Sequence, residues 1–310
     1  MQESPNGSRL AGLQQHVHTG QAALFAGRRD TGMTVAMPLL AQITDLHLRP
    51  PGVLTQRFID TFAYAERAVR ALMTRHPDVD AVLVTGDIAD QGEVDAYDRA
   101  AALLALFSVP VLVVPGNHDL KVPLRDAFMS LPGVARPPVP SRVAHAHRFG
   151  EVTLVCLDTS IDSLNPSEFY GSLGAPQLAW LDETLAKAGP TVIAMHHPPF
   201  NTGIAEMDAI GLTDAPAFAE IVRRHGNVMR IVCGHIHRAV VASFAGTTAM
   251  VIPGTAHQVS MALNDRAEFG ATMEPPAYAL HRVSADGVVS HVGYVDDGGG
   301  VHRFGSDDDG

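Results

Sequence analysis

The chain has 310 residues, 46% of them hydrophobic and 18% charged, and a formal net charge of −11. That length favours one α/β domain with extensions over two large domains, and the acidic balance disfavours nucleic acid as a main partner, because neutralising phosphates needs a basic footprint. No run of 18 or more apolar residues occurs, so no membrane span is expected.

Residues 1–36 are rich in Gln, Gly, Ser and His without a period and read as a flexible N-terminal extension lacking a signal-peptide pattern. Met33 and Met37 lie just before the first strand, so the residues upstream are expected to be dispensable for activity. Residues 39–43 form that strand and run into Thr44-Asp45-Leu46-His47. Residues 55–76 read as a helix with Phe58, Phe62, Ala65, Val69 and Leu72 on its packed face. A strand over 79–85 ends at Gly86-Asp87, a helix spans 93–107, and a strand over 109–114 ends at Pro115-Gly116-Asn117-His118-Asp119. This is a βαβαβ unit with right-handed crossovers over a parallel sheet.

A short helical piece at 123–130 leads into a Pro-rich loop, then a hairpin of 143–149 and 152–157 about Gly150. A helix over 177–188 precedes a buried strand, 191–195, that stops at His196-His197-Pro198-Pro199. A helix over 216–225 precedes another strand, 229–233, that stops at Gly234-His235-Ile236-His237. Segments 240–244, 249–252, 278–283 and 288–294 are expected to be antiparallel strands closing a second sheet. The organised part is thus 37–295, and 296–310 reads as a flexible acidic tail. Cys156 and Cys233 sit in apolar runs and read as small buried hydrophobes, which fits a reducing cytoplasm.

Five strands therefore end in polar sets: Asp45/His47, Asp87, Asn117/His118, His196/His197 and His235/His237. Alone, a His there is more often a hydrogen-bonded surface group, and an Asp after Gly a turn residue. Together they place Asp, Asn and His, with no Cys, at the carboxyl edge of a sheet, where ligands of open α/β folds bind. Residues two apart in extended chain point the same way, so Asp45 and His47, and His235 and His237, are each expected to reach one cluster. The donors are too many for one tetrahedral zinc ion and suit two divalent cations about 3.5–4 Å apart sharing a carboxylate. Nitrogen and hard oxygen ligands fit Mn, Fe, Co or Zn.

The ordered set Asp45-x-His47, Gly86-Asp87, Gly116-Asn117-His118-Asp119, His196 and Gly234-His235-x-His237 resembles the calcineurin-like metallophosphoesterases, and within them the bacterial class III cyclic-nucleotide phosphodiesterases and glycerophosphodiesterases. Met195-His196-His197-Pro198-Pro199 and Pro253-Gly254-Thr255-Ala256-His257-Gln258-Val259 support it, and the likeness covers roughly residues 38–285. The resemblance implies a four-layer α/β/β/α sandwich of two mixed sheets flanked by helices. It implies that Asp45, His47, Asp87 and His237 hold one ion and Asp87, Asn117, His196 and His235 the other, with Asp87 bridging. It implies hydrolysis of a small phosphodiester, such as 3′,5′-cyclic AMP or a glycerophosphodiester, by in-line attack of a hydroxide between the ions. His118 would protonate the leaving alkoxide, and Asp119 would fix the His118 ring. Two cations, less Asp45, Asp87 and that hydroxide, leave about one positive charge, which matches a diester monoanion better than a monoester dianion.

Asn117 and His118 are expected to face the substrate. His197 either lines the pocket or hydrogen-bonds the backbone, with the second reading preferred, and His257 reaches the substrate rim. Arg49 contacts phosphate or, more commonly for a loop Arg, solvent. Met207, Ile210 and Leu212 form an apolar wall for the substrate or cover core. Loops 120–141, 160–175, 200–214 and 257–276 set specificity, and 263–276 is expected to be a lid or a homodimer contact. The competing readings are a phosphomonoesterase or nuclease on the same site, and a non-catalytic phosphate-binding module.

Overall fold

The computed structural model describes residues 37–301, except 265, 285, 297 and 299. The extension expected at 1–36 and residues 302–310 of the expected tail lie outside the described residues.

Parallel strands β1 (Leu39–Ile43), β2 (Ala81–Thr85) and β3 (Val111–Val114) are linked by helices α1 (Thr61–Arg75) and α2 (Val94–Leu104). After α3 (Lys121–Ala127), the hairpin β4 (His145–Phe149) and β5 (Val152–Cys156) starts a second sheet. It continues with β6 (Thr191–Ala194) and β7 (Val228–Cys233), both parallel to β5, separated by α4 (Gly174–Leu185), α5 (Ala205–Asp208) and α6 (Ala215–His225). The hairpin β8 (Val240–Phe244) and β9 (Thr247–Val251) adds to β7 through β9. A two-stranded ribbon, β10 (Gln258–Val259) and β11 (Ala271–Thr272), interrupts the long loop before β12 (Ala277–Ser284) and β13 (Gly287–Tyr294).

The last hairpin does not join the second sheet. β12 pairs antiparallel with β1, Leu40 opposite His281, so the first sheet runs β13-β12-β1-β2-β3 and the second β4-β5-β6-β7-β9-β8. Alternation identifies a strand but not its sheet when both sheets carry the same period. The helix expected from residue 55 starts only at Thr61, capped by the Asp60 carboxylate accepting from the Ala63 N–H at 3.2 Å. Residues 55–59 instead form a turn closed between Thr55 and Ile59, and Phe58 is 63% exposed, off the packed face.

The layers follow from the two-residue period of the strands. Val82 and Val84 of β2 pack with Ala65, Val69 and Leu72 of α1 and Ala96 and Ala100 of α2. Their neighbours Ala81 and Leu83 point the other way, onto Leu154, Val192 and Val232 of the second sheet. Ile193 and Ile231 of that sheet face outward onto Leu181 of α4 and Phe218 of α6. Helices, sheet, sheet, helices: the result is the four-layer α/β/β/α sandwich. Each Val or Leu so buried contributes about 1.5–3 kcal/mol. Cys156 and Cys233 are free, buried thiols, and burial pushes both thiols up in pKa.

Candidate metal centre

Parallel pairing within each sheet brings the carboxyl ends of β1, β2 and β3 together, and likewise those of β6 and β7. The chain leaves these strands in an unusual conformation. Asp45 (φ 54°), His47 (45°), Asp87 (49°), His235 (73°) and His237 (52°) all adopt left-handed backbone. Such non-glycine residues cost roughly 1–3 kcal/mol each and gather where function over-determines them. The pairs Asp45/His47 and His235/His237 thus converge through tight turns, not through the extended alternation expected from their spacing. The turns are cross-tied: the Asp45 N–H donates to the Gly86 carbonyl (3.1 Å) and the His47 N–H to the Asp87 carbonyl (2.8 Å). Gly86 and Gly116 permit the approach, since a Cβ at either would collide with the His196 ring or the Asp87 carboxylate.

The structure brings all seven expected ligands together, each at most 6% exposed. Asp87 Oδ2 lies 3.5 Å from His47 Nε2 and 3.4 Å from His196 Nε2, between two groups of donors. In the first group, His237 Nε2 lies 3.3 Å from Asp45 Oδ1 and 3.1 Å from His47 Nε2. In the second, Asn117 Oδ1 lies 3.0 Å from His196 Nε2 and 2.8 Å from His235 Nδ1. One donor atom from each of Asp45, His47, Asp87 and His237 falls within 4.8 Å of the others.

Partners behind the rings fix their tautomers. Nδ1–H donates to an oxygen that can only accept in three of them: Asp90 Oδ1 for His47 (3.1 Å), the His257 carbonyl for His237 (3.0 Å) and the Thr85 carbonyl for His196 (2.7 Å). With Nδ1 so committed, each ring in its neutral form turns a bare Nε2 lone pair inward, toward two buried carboxylates. This is a donor set for cations. The electrostatics agree. Burial opposes ionisation of Asp87, yet the His196 and His118 imidazoles hold its carboxyl well below the usual range. Burial likewise opposes protonation of His196, but the Asp87 carboxylate pulls that ring up to about 9, so without a cation a proton takes the Nε2 position that a bound metal would displace.

Other expected residues fall differently. His118 is half-buried, its backbone N–H donates to Asp87 Oδ1 (2.9 Å), and its Nδ1–H donates to the Asp90 carbonyl (2.7 Å). Asp119 does not orient that ring. Its carboxylate is enclosed by the N–H groups of Ile88, Ala89 and Gly116 and the Tyr97 hydroxyl, at 2.9–3.1 Å, and so braces the loop that carries Asp87. His197 does not reach substrate. It is fully buried, with Nε2–H donating to the Phe169 carbonyl (2.9 Å) and Nδ1 accepting from the Thr159 hydroxyl (2.7 Å).

His257 is buried beside the first group, its ring 4.8 Å from that of His237 and its Nδ1 without a hydrogen-bond partner among the described residues. Arg49 is held by Asp90 (2.7 Å) and Glu93 (3.0 Å). Met207 and Leu212 belong to the core around α4 and α6. Sequence reasoning missed Asp90, which holds His47 with its carboxylate and His118 with its carbonyl. Its signal was present: an acid three positions past Asp87 in the same turn.

A family model, calcineurin-like phosphoesterase, matches residues 38–239. The chain belongs to that family. Among relatives of this calcineurin-like phosphoesterase, a probable cyclic nucleotide phosphodiesterase of Rhodopseudomonas palustris is 36% identical over 256 residues, covering 80% of this chain and 89% of that protein. A glycerophosphodiester phosphodiesterase of Enterobacter lignolyticus is 33% identical, covering 82% and 90%. The calcineurin-like phosphoesterase fold recurs in a dimetal phosphatase from Danio rerio (TM-score 0.56, 18% identity, covering 82% of this chain and 98% of that one). It recurs in a purple acid phosphatase from yellow lupin (0.63, 13%, covering 86% and 52%). Among the described residues, no helix is long and apolar enough to cross a membrane.

Proposed function

We propose that this chain is a binuclear metal-dependent phosphodiesterase that hydrolyses small phosphodiesters, such as 3′,5′-cyclic AMP or glycerophosphodiesters. The observation that carries the reading is the position of Asp87 Oδ2, within 3.5 Å of a ligand nitrogen in each of two donor groups. Asp45, His47, Asp87 and His237 would hold one cation and Asp87, Asn117, His196 and His235 the other, with Mn, Fe, Co or Zn suited to the donors. Two divalent cations supply Lewis-acid charge that acidifies bound water and neutralises phosphoryl oxygens.

The remaining chemistry belongs to side chains. The Asp90 carbonyl takes the Nδ1–H of His118, so Nε2 is the atom of that ring that carries and delivers a proton. His118 is half-buried where the ligands around it are buried, which suits a general acid that meets the leaving oxygen. Asn117 and His257 complete the substrate side of the site. Two buried free thiols fit a cytoplasmic setting, and the exposed Leu263, Phe269 and Met273 suit residues 263–276 to a lid or a homodimer contact.

The test is metal analysis with a rate panel in Mn²⁺: bis(4-nitrophenyl) phosphate, 4-nitrophenyl phosphate, cyclic AMP and glycerophosphocholine. Two metals per chain and diesters turned over faster than the monoester are expected. Faster monoester hydrolysis would replace the reading with a phosphomonoesterase, and no bound metal would end it.

A further inference from the structure

Beside the His118 imidazole lies an aromatic ring that none of the ligand chemistry requires. The Phe169 centroid is 4.6 Å from that of His118, with the planes inclined at 46°. Phe169 is half-buried, so one part of it packs on the imidazole while another part meets solvent.

Its placement is enforced from behind. The Phe169 carbonyl accepts from His197 Nε2–H at 2.9 Å, and His197 is itself locked by the Thr159 hydroxyl at 2.7 Å. With Nε2 donating to a carbonyl and Nδ1 accepting from a hydroxyl, the His197 ring is tied at both nitrogens and its orientation is fixed. On one side, a 3₁₀ turn, Pro166–Glu168, leads into Phe169 with Asn165 capping it. On the other, Gly171 pairs with the segment around Leu212, its N–H donating to the Gly211 carbonyl at 3.0 Å and its carbonyl accepting from Thr213. A Cβ at Gly171 would collide with the His197 ring. An exposed loop has no need of so many ties, whereas a contact surface that must not move does.

We propose that Phe169 is the wall against which the departing alcohol rests, so that the site favours phosphodiesters whose leaving group carries a flat apolar body over those that release a compact polyol. The inference rests on the phosphodiesterase reading and on His118 as the proton donor. A leaving oxygen must sit about 3 Å from the nitrogen that protonates it. The carbon skeleton attached to that oxygen then starts beside a ring already packed on the same imidazole. An aryl or nucleoside group can stack on that ring or meet its edge, and a glycerol group gains little from it. Contacts of this kind correspond to about two- to tenfold in affinity or rate. The assignment also gives His197 a purpose: as a positioning residue it holds the backbone that aims Phe169.

The test compares ratios between ligands or substrates with the same need for a proton, because Phe169 also touches His118 and its loss lowers proton delivery to every alkoxide. In the Mn²⁺-loaded protein, phenylphosphonate and methylphosphonate are titrated calorimetrically against the parent, Phe169→Ala and Phe169→Tyr. The kcat/KM ratio of cyclic AMP to glycerophosphocholine, both of which release an alkoxide that needs a proton, is measured alongside. The parent is expected to prefer the phenyl ligand. Phe169→Ala is expected to cut both ratios about two- to tenfold, and Phe169→Tyr, which keeps the flat ring, to preserve them. Equal losses for both ligands would make Phe169 a brace for His118 and overturn the proposal, as would unchanged ratios or the absence of a phenyl preference in the parent. Failure of the parent to hydrolyse any diester would overturn the phosphodiesterase reading separately, since the binding ratio is read without turnover.

Discussion

Nε2 of His47 and Nε2 of His237 face each other at 3.1 Å, and in both rings Nδ1 is committed as a donor to an oxygen behind it. Two lone pairs at that distance repel unless a cation or a proton lies between them. The fold therefore stabilises the site fully only when it holds charge. Chelation is expected to lower the thermal midpoint and Mn²⁺ or Zn²⁺ to restore it. At a hundredfold excess over Kd, one ion contributes about 2.7 kcal/mol, or roughly 5–10 °C for a domain of this size. Scanning fluorimetry with and without metal checks this, and Asp87→Ala, which removes the carboxylate common to both groups, is expected to abolish the increment.

Asp90 holds His47 by its carboxylate at 3.1 Å and His118 by its carbonyl at 2.7 Å. Substituting the side chain separates the two tasks, because the carbonyl remains. Asp90→Ala is expected to weaken metal binding by about 10–100-fold while leaving the His118 contact in place. Metal titration of the apo chain reads the first effect. The acidic limb of the kcat profile, kept as in the parent, reads the second. Asp90→Asn keeps one oxygen acceptor and is expected to fall between the two.

Stability is expected to fall with acid through histidines remote from the metal ligands. Burial lowers the His145 pKa to about 4 and that of His281 to about 3. His145 Nε2–H donates to the Val113 carbonyl at 3.0 Å, and His281 is held between Gln42 and Ser290 inside the first sheet. Both folded pKa values lie below the unfolded value of about 6.5. Their contribution is thus complete above about pH 6.5 and is lost as the pH falls toward the folded values. Denaturant midpoints at pH 7 and pH 5 check the fall, and His281→Gln is expected to flatten it.

The ligands were readable because Asp, Asn and His interrupt apolar strands at the one edge where open sheets bind ligands. The backbone that aims them was not. Nothing in Asp45-Leu46-His47 or His235-Ile236-His237 announces left-handed φ, which is imposed by cross-ties such as His47 to Asp87 that join residues far apart in sequence. The sheet to which β12 belongs was hidden for a similar reason: its alternation fits either partner, and pairing with β1 is decided by long-range packing. The start of α1 was legible in principle, since Asp60 is a good N-cap, but the apolar spacing of Phe58 masked it. Asp119 looked like the natural partner of adjacent His118, yet a neighbour in sequence points elsewhere when the chain turns at Gly116.

His118 supplies the last test. Its Nδ1–H is engaged by the Asp90 carbonyl, and its backbone N–H, not its ring, contacts Asp87. His118→Ala therefore leaves the seven ligands and their supports intact, and metal content is expected to stay at the parental level. An alkoxide leaving group cannot depart without a proton, so kcat on cyclic AMP or glycerophosphocholine is expected to fall about 10²–10⁴-fold. 4-Nitrophenolate is a far better leaving group and needs little protonation, so the loss on bis(4-nitrophenyl) phosphate is expected to be much smaller. Kinetics on both substrate types with metal analysis of the same samples decide it. An equal loss on both would assign His118 to binding the phosphate, and an unchanged rate on alkyl esters would place the general acid elsewhere.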